Sequence, residues 1–512
     1  MGEIFNSQVV LPVLIVAAYG LVVLVMSPFL RERPSALAWF SALGLVMAGW
    51  ASARQWGMRA STAYGLVRVD EYSVFFNIVF LVVGLLAVLV SIRYLQRQGS
   101  HYGEYYALML LSVAGMMTMA ASDNLLVIFV GLELLSIPLY VLAGLTRTRA
   151  RSVESSLKYF LLGAFSTGFI VYGLAFIYGA TGTLDLRRVA DLAPGRAGAP
   201  PDATLLLGVG LLLVGFSFKI AAVPFHFWAP DVYQGAPTTV AGFMAAGTKA
   251  AAFAALVRIL GTGLAGSAET WTGLVVVLSI LTMTVANLAA LVQTNIKRLL
   301  AYSSIAHAGY LLIPVATLGT AFAGARGAGR STVAGDAVQA LGFYLLSYAF
   351  MTVGAFAVAA LVGRDGPEGE EGYSLGAYAG LARRRPFLAA AMAVFLLSLA
   401  GLPPTAGFIA KFYVFKAALR GGAVFLAVVG LLNSVVAAGY YLRVIVAMYM
   451  KEPAAEPAEQ PAAPGLASGA ALAIAVAGTL YLGVLPGRLL DAARSLYGSI
   501  LAVAGTIPGI LQ

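Results

Sequence analysis

Lys219 places an ammonium group inside a long apolar stretch, FSFKIAAVPFHFW, with Pro224 and His226 close behind it. Inserting a Lys at the centre of a bilayer costs about 3 kcal/mol, so stability does not explain this residue. Other ionisable side chains interrupt apolar stretches in the same way: Glu133, Lys158, Lys249, His307 and Lys411. A series of buried acids and bases of this kind predicts proton or ion transfer within a membrane.

Glu133 has no charged partner nearby in the sequence, and Lys219 is the residue predicted to pair with it. Burial favours the neutral form of an ionisable group, whereas an opposite charge favours the charged form. A change in the distance between the two would therefore move a proton. Two alternatives stay open: Glu133 can brace two helices in a static ion pair, and Lys219 can extend to the membrane interface.

Two histidines are further candidates for proton transfer. His226 lies about two turns beyond Lys219 and can relay protons near pH 7, although a structural role near the end of the span is an alternative. His307 shares a polar face with the serines of YSSIAHAGY. That face can line a hydrated channel, and hydrogen-bonded packing of the histidine is the alternative.

Lys249 and Lys411 extend the series of buried lysines. Lys249 is flanked by small residues in FMAAGTKAAAFAAL, which permit close helix packing and water. Lys411 follows Pro403 and Pro404, and proline interrupts a helix. Lys411 and Lys219 are therefore both predicted to stand beside a helix break.

Lys158 begins its apolar stretch soon after RTRAR. A rise of about 1.5 Å per residue places it nearer the surface than Glu133, so no direct contact between them is expected. Three other cations lie near the ends of apolar segments, where extension to the interface explains them; these are Arg258, Lys416 and Arg443. No phosphate loop, Ser-His-Asp arrangement or metal-spaced cluster occurs in the sequence.

The composition defines an integral membrane protein. The 512 residues are 60% hydrophobic and only 11% charged, which excludes a water-soluble domain. The net charge of +10 comes largely from Arg between apolar segments, which indicates membrane topology and argues against nucleic-acid binding. With no Cys and three His, thiolate-ligated clusters are excluded and haem ligation is not expected. The N-terminus lacks the pattern of a cleaved signal peptide.

Apolar runs of about 20 residues predict an all-α polytopic membrane protein with about fourteen transmembrane helices. Ser122, Asp123 and Asn124 are predicted to form the turn and N-cap before the fifth span. Lys and Arg are more frequent in loops after odd-numbered spans, which predicts both termini on the outer face. The spans centre on residues 8-30, 35-53, 72-94, 104-121, 123-145, 155-180, 204-228, 237-262, 270-293, 298-320, 337-362, 386-419, 422-450 and 466-487.

Two spans are predicted to be broken internally. The seventh contains Pro224, and the twelfth contains Gly401, Pro403 and Pro404. Broken helices at matching places in two halves indicate inverted repeats around a site near the membrane midplane. Residues 181-203 and 451-464 have the composition of solvated linkers.

The chain resembles the antiporter-like membrane subunits of respiratory complex I over nearly its whole length. Within that group, FKIAAVPFHFWAPDVYQGAPT, NIKRLLAYSSIAHAGY and GLPPTAGFIAKFYVF are similar to the N-type, called subunit 2 in mitochondria. The M-type would have a carboxylate in place of Lys411. The L-type would continue into a long lateral helix, whereas this chain ends soon after residue 487.

The resemblance implies two inverted five-helix repeats, at 104-262 and 263-450. Residues 1-103 would form helices 1-3, and 451-512 a linker and helix 14. It also implies a role for each candidate. Glu133 would be the carboxylate of helix 5, Lys219 its partner, Lys249 a central link, His307 part of the hydrated path and Lys411 the terminal lysine.

The activity implied is proton translocation driven by quinone reduction elsewhere in an NADH-quinone oxidoreductase of the bacterial inner membrane. A charge change would separate Glu133 from Lys219, and the proton would pass by Lys249 or His307 to Lys411. No cofactor is expected in this chain, and NADH, FMN, Fe–S clusters and quinone are expected in partner subunits. The implied neighbours are an M-type subunit, small K-, J- and A-type subunits and lipid.

Two alternatives belong to other classes. One is a subunit of a multi-subunit cation/proton antiporter or an ion-pumping membrane hydrogenase, and the other is a scaffold without transport. The sequence around Lys219 and Lys411 favours the complex I type. The electron donor, the quinone, the choice between proton and sodium, and the stoichiometry lie beyond what the sequence specifies.

Overall fold

The computed structural model describes residues 6–192, 202–324, 328–363, 372–452 and 465–504. These residues form long helices, which confirms the prediction of an all-α membrane protein. Short helical turns aside, the helices are α1 (Ser7–Met26), α2 (Pro34–Arg54), α3 (Glu71–Gln98), α4 (Gly103–Ala120), α5 (Leu125–Ala143), α6 (Ala150–Thr181), α7 (Leu186–Leu192), α8 (Ala203–Lys219), α9 (Trp228–Gly235), α10 (Thr238–Gly263), α11 (Ala268–Leu291), α12 (Ile296–Gly324), α13 (Ala328–Val362), α14 (Pro386–Ala400), α15 (Ala406–Arg420), α16 (Val424–Met450), α17 (Leu466–Val484) and α18 (Gly487–Ala504).

Eleven helices within the described residues are long and apolar enough to cross a bilayer. The remaining predicted spans correspond to α4 and to the helix pairs α8–α9 and α14–α15, so the total of about fourteen stays a prediction. Helices α3, α10, α12 and α13 form the buried centre of the bundle. Large apolar side chains of the peripheral helices are exposed, among them Phe165, Leu432 and Val435, as expected for a surface in contact with lipid.

The seventh span is interrupted between Lys219 and Trp228, where the chain turns around Pro224. Unpaired backbone groups are costly inside a bilayer, so a break needs local partners. Val223 N donates to Thr282 Oγ1 of α11 at 3.0 Å, and Trp228 Nε1 donates to the carbonyl of Phe218 at 3.1 Å. The break is therefore tied to a neighbouring helix.

The twelfth span is interrupted between Ala400 and Ala406. Gly401 ends α14 with a φ of +86°, a conformation that glycine adopts without steric cost. Gly407 N donates to Ser398 Oγ at 3.0 Å, and a Cβ at Gly407 would lie 1.8 Å from the carbonyl oxygen of Ser398. Only glycine permits the two half-helices to approach this closely.

The same backbone motif occurs twice. Leu125 N donates to Leu184 O at 2.9 Å, which joins the start of α5 to the segment after α6, and Leu186 N donates back to the carbonyl of Asp123. Ile296 N donates to Tyr373 O at 2.7 Å, which joins the start of α12 to the segment after α13, and Leu375 N likewise donates back to Thr294. The similarity supports the predicted repeats at 104-262 and 263-450, which stay a prediction.

Arg258 and Arg443 extend this similarity between the halves. Each lies nine residues beyond a polar position that faces the centre, Lys249 in α10 and Ser434 in α16. Arg258 reaches the loop before α5. Arg443 donates to the carbonyl of Leu291, the last residue of α11, and to that of Gln293 in the loop before α12. The prediction that Arg443 simply extends to the interface omits these carbonyl contacts.

Three features differ from the sequence-based expectations. The linker predicted at 181-203 is wrong for Leu186–Leu192, which form helix α7; residues 193–201 lie outside the described part, as do 453–464 of the second linker. A small hairpin pairs Ala60–Thr62 with Val67–Val69 between α2 and α3. Helix α18 was not predicted, although the spacing of Leu490, Ala493, Leu496, Tyr497 and Ile500, all buried, is typical of an amphipathic helix.

Both ends of the described chain lie at one end of the bundle. Asn6 N donates to Thr62 Oγ1 of the hairpin at 2.7 Å, and Ser499 Oγ of α18 donates to Glu71 Oε2 at 2.8 Å. Asp123 belongs to the same end, which we call the Asp123 end. The opposite end contains Arg298 and is called the Arg298 end.

Candidate functional site

Lys219 is buried at the end of α8, where its ammonium group contacts hydroxyls of α5. Nζ donates to Ser136 Oγ at 2.8 Å and lies 3.4 Å from Tyr140 OH. Glu133 lies one turn before Ser136 on the same helical face, and its Oε1 accepts from Thr167 Oγ1 at 2.8 Å. Glu133 and Lys219 are close enough to interact electrostatically, but no ion pair joins these two side chains.

Lys249 is fully buried in α10, directly after a π-helical segment at Met244–Thr248. π-Helical turns within α-helices often occur at functional sites. Nζ donates to the backbone carbonyl of Ser304 on α12. Four buried hydroxyls lie close together in this region, with Ser304 within reach of Tyr233 and Tyr348, and Thr352 within reach of Tyr348. A hydroxyl group can both donate and accept a hydrogen bond, so this cluster is suited to proton transfer.

His307 is buried on α12 among tyrosines of α13 and α16. Its Nδ1 lies 2.7 Å from Tyr344 OH, and its Nε2 lies 3.3 Å from Tyr441 OH. Tyr441 also hydrogen-bonds Ser303 Oγ. Imidazole and phenol groups both donate and accept hydrogen bonds, so this cluster is suited to proton transfer.

Lys411 is buried on α15 and reaches back across the second break. Nζ donates to the carbonyl of Ala400, the last residue of α14, at 2.9 Å, and to Ser434 Oγ at 2.6 Å. It also lies 4.8 Å above the centre of the Tyr310 ring. A cation is stabilised at the C-terminal end of a helix. Lys219 is the last residue of the half-helix before its break, whereas Lys411 belongs to the half-helix after its break and reaches back to the end of α14. Both lysines therefore stand beside a helix break.

A line of polar side chains connects the His307 cluster with Lys411. The rings of Tyr441 and Tyr440 lie side by side, with centres 4.4 Å apart. Tyr440 OH donates to Asn287 Oδ1 at 3.0 Å, and Asn287 Nδ2 donates to Tyr310 OH at 3.2 Å. None of these residues was predicted. Tyrosines spaced along α12, α13 and α16 were a signal, but aromatic residues in apolar helices usually indicate packing.

Lys158 lies in a different environment, at the Arg298 end. Its side chain is 40% exposed, and Nζ pairs with Glu154 at 2.6 Å and Asp231 at 2.8 Å. Arg298 Nη1 pairs with the other oxygen of Asp231 at 2.6 Å. These groups border a polar cavity of about 180 Å³. Lys158 is thus near the surface, as its position in the sequence predicted, and makes no contact with Glu133.

His226 lies within the first break and is half-buried. Its Nδ1 has no hydrogen-bond partner among the described residues, and its ring lies 5.6 Å from that of Phe227. No hydrogen bond connects His226 to Lys219 or Lys249. His307 therefore belongs to a polar network, whereas His226 lies outside that network.

The prediction that Arg258 extends to the interface is wrong. The side chain is fully buried and donates from both terminal nitrogens to Asp70, at 3.0 Å each, and from Nη1 to Asp123 at 2.8 Å. Arg68 adds a contact to Asp123 at 2.5 Å. Asn124 caps α5 as predicted, but the neighbouring Asp123 serves mainly as a counter-ion for these arginines.

Within the described residues, no group of three or more His, Asp or Glu side chains is placed to hold a metal. What the arrangement offers is a series of lysines beside hydroxyl and imidazole groups at two helix breaks. This combination of fold and site defines a polytopic membrane protein of the ion-translocating type. The match to the family model "NADH:quinone oxidoreductase/Mrp antiporter, TM" spans residues 122–437, and the chain belongs to this family.

Relatives of known name agree with this assignment. The chain is 46% identical to NADH-quinone oxidoreductase subunit N of Trichlorobacter lovleyi, covering 96% of this chain and 97% of the relative. It is 43% identical to the subunit N of Chloroflexus aggregans, covering 94% and 95%.

Two solved structures have the same fold. A chain of respiratory complex I from Thermus thermophilus with bound aureothin matches with a TM-score of 0.77 at 38% identity, covering 94% of this chain and 99% of that one. A chain of the Mrp complex from Dietzia matches with a TM-score of 0.84, covering 99% and 100%. At 21% identity, this second similarity shows the fold alone.

Proposed function

We propose that this chain is a proton-translocating membrane-arm subunit of an NADH-quinone oxidoreductase, with the role of subunit N. The proposal rests on the environment of three buried lysines. Lys219, Lys249 and Lys411 are buried, and among the described residues none forms an ion pair with a carboxylate. A protein maintains such costly groups when their charge has a use.

The first step is assigned to Glu133 and Lys219. The carboxylate lies one helical turn from Ser136, which accepts a hydrogen bond from Lys219, and it favours the ammonium form of that lysine. A charge change at Glu133 removes that support, and the lysine then releases its proton to a neighbouring group. Moving one charge against 100 mV costs about 2.3 kcal/mol, which a shift of less than about two pKa units supplies at about 1.36 kcal/mol each.

Water and side chains then carry the proton to the second half. A cavity of about 10 Å³, lined by Lys219, Ser136, Tyr159 and Thr248 among others, is close to the volume that one water needs. Lys249 follows Thr248 directly and contacts Ser304, one of the four buried hydroxyl residues described above. His307 and its tyrosines continue the path, and Lys411 is assigned the last position before release.

The surface residues are assigned supporting roles. Lys158, beside its polar cavity, is suited to exchange protons with the aqueous phase at the Arg298 end. His226 is assigned to the same uptake route, because it lies in the break between that end and Lys219. If the loops rich in Arg face the cytoplasm, as the sequence predicts, both termini are on the outer face of the bacterial inner membrane.

As a subunit, the chain contributes translocation, and the redox chemistry belongs to its partners. NADH, FMN, Fe–S clusters and quinone are assigned to other subunits of the complex. The neighbours within the membrane are assigned as an M-type subunit and small K-, J- and A-type subunits.

The test uses membranes that contain the assembled complex with Lys219→Ala, measuring quinone-dependent electron transfer and proton pumping together. Lys416→Ala is the matched control, because Lys416 is a half-buried lysine that contacts the Tyr413 ring near the end of α15. We expect Lys219→Ala to lose pumping while the control retains it. Normal pumping by an assembled Lys219→Ala complex would contradict the proposal and favour a scaffold.

A further inference from the structure

Asn287 connects the two sides of the second half of the molecule. It is fully buried on α11. On one side Tyr440 OH donates to its Oδ1 at 3.0 Å, and on the other its Nδ2 donates to Tyr310 OH at 3.2 Å. Tyr440 leads through its ring contact with Tyr441 to His307. Tyr310 lies beneath the ammonium group of Lys411. Its ring also meets the His307 ring edge-on, with centres 5.8 Å apart, but this ring contact provides no hydrogen bond between the two side chains.

The orientation of the amide is fixed by its surroundings. Nδ2 lies 3.3 Å from the backbone carbonyl of Asn433 and 3.2 Å from the side-chain oxygen of the same residue. A backbone carbonyl can only accept, so the nitrogen must face Asn433 and Tyr310. The oxygen must then face Tyr440. The nitrogen and the oxygen of this amide both have hydrogen-bond partners.

An amide differs chemically from the other members of the line. A hydroxyl or an imidazole can accept a proton while releasing another, which permits a proton to pass along a chain. In asparagine the donor and the acceptor are separate atoms, and the N–H is not acidic. Passage would require protonation of the oxygen and loss of a proton from the nitrogen, which yields an unfavourable imidic acid. Hydrogen bonds therefore continue through Asn287 while proton transfer does not.

We propose that Asn287 is a positioning residue that keeps the His307 side and the Lys411 side in contact but insulates them from direct proton exchange. The inference rests on the proposed function of the chain. In this arrangement Tyr440 and Tyr310 are held in place by one rigid amide. A proton reaches Lys411 only when another route, such as transient water, opens during turnover, and it does not leak back at rest.

The experiment replaces the amide of Asn287 with a group that can both accept and donate a proton. Asn287→Asp keeps the shape of the side chain but supplies a carboxylate that can accept a proton from Tyr440 and donate one to Tyr310. The complex is reconstituted into liposomes, and the decay of an imposed pH gradient is measured without electron transfer. We expect severalfold faster decay, together with fewer protons pumped per electron pair during turnover.

Two further variants make the result interpretable. Asn433→Asp adds the same charge beside Asn287 but leaves the amide link intact, so its gradient should decay at the wild-type rate. Asn287→Ser supplies a hydroxyl without a charge and should also leak, which covers the case in which Asn287→Asp does not assemble. Wild-type decay in both Asn287→Asp and Asn287→Ser would overturn the inference, as would equal leakage in Asn433→Asp.

Lys411→Ala separates this inference from the function on which it rests. If Lys411→Ala pumps normally, the proposed function fails. If Lys411→Ala loses pumping while the pH gradient decays at the wild-type rate in both Asn287 variants, the proposed function stands and the proposed role of Asn287 is wrong.

Discussion

Buried charges occur in two environments in this molecule. At the Asp123 end, Arg258 is fully buried between Asp70 and Asp123, with 3.0 Å and 2.8 Å contacts. Near the centre, Lys249 is equally buried, yet the contact described for its ammonium group is the backbone carbonyl of Ser304. One charge is neutralised by carboxylates in fixed geometry, and the other is held by a neutral group.

The difference separates structural from functional charge. A buried ion pair resists proton transfer, because each partner stabilises the charged form of the other. A lysine held by hydroxyls and carbonyls keeps the full cost of desolvation, so small changes nearby alter its protonation. The type of residue also fits: Arg does not deprotonate in proteins, whereas buried Lys does so readily.

Removal of the paired charge should have the largest effect. Arg258→Met leaves Asp70 and Asp123 buried with their main counter-ion gone, which costs about 3–5 kcal/mol for a broken buried pair. We expect little assembled complex, measured by native electrophoresis and by the temperature of inactivation. Assembly at the wild-type level would show that the ion pairs of Arg258 with Asp70 and Asp123 do not stabilise the fold.

Removal of an unpaired charge should preserve assembly of the complex but reduce proton pumping. Lys249→Met takes away a desolvated ammonium group without leaving a buried carboxylate behind, so assembly should be retained. Pumping should fall by at least about tenfold, equivalent to about 1.4 kcal/mol in the rate. The measurement is the rate of proton pumping in membranes that contain equal amounts of complex. Lost assembly together with lost pumping would make Lys249 structural.

These two variants also show how far sequence could reach. Apolar length and proline positions predicted most of the long helices, both breaks and the buried lysines, because each rests on local residue type, but they did not predict α7 or α18. The ion pairs of Arg258 could not be predicted in this way, since its partners Asp70 and Asp123 lie far away in sequence on other loops. For the same reason the tyrosines around His307 and the amide of Asn287 were missed. Their role depends on which helices meet.

A smaller effect is expected where geometry alone is changed at Lys411. A Cβ at Gly401 would lie 2.8 Å from Lys411 Cδ, and the φ of +86° strains any other residue. Gly401→Ala should therefore displace the ammonium group and lower pumping severalfold without abolishing it. Gly422→Ala is the matched control, because its φ of +76° imposes similar strain while no atom of the described residues lies within 4 Å of the added Cβ. If both variants pump alike, backbone strain rather than Lys411 is responsible.

The smallest expected change is the variation with pH of the stabilisation that the paired cluster provides. Burial alone would raise the pKa of Asp123, but Arg258 and Arg68 outweigh it and hold the pKa well below its ordinary value. A carboxyl group with a lowered pKa in the folded state stabilises above its unfolded pKa of about 3.9, and this stabilisation is lost only as the pH falls towards the folded value. Asp123→Asn should therefore lower the inactivation temperature of the complex by the same amount at every pH between about 5 and 8. A difference that shrinks towards the acidic end of this range would mean that Asp123 titrates there, and that the cluster is an exchangeable site like the lysines rather than a permanent ion pair.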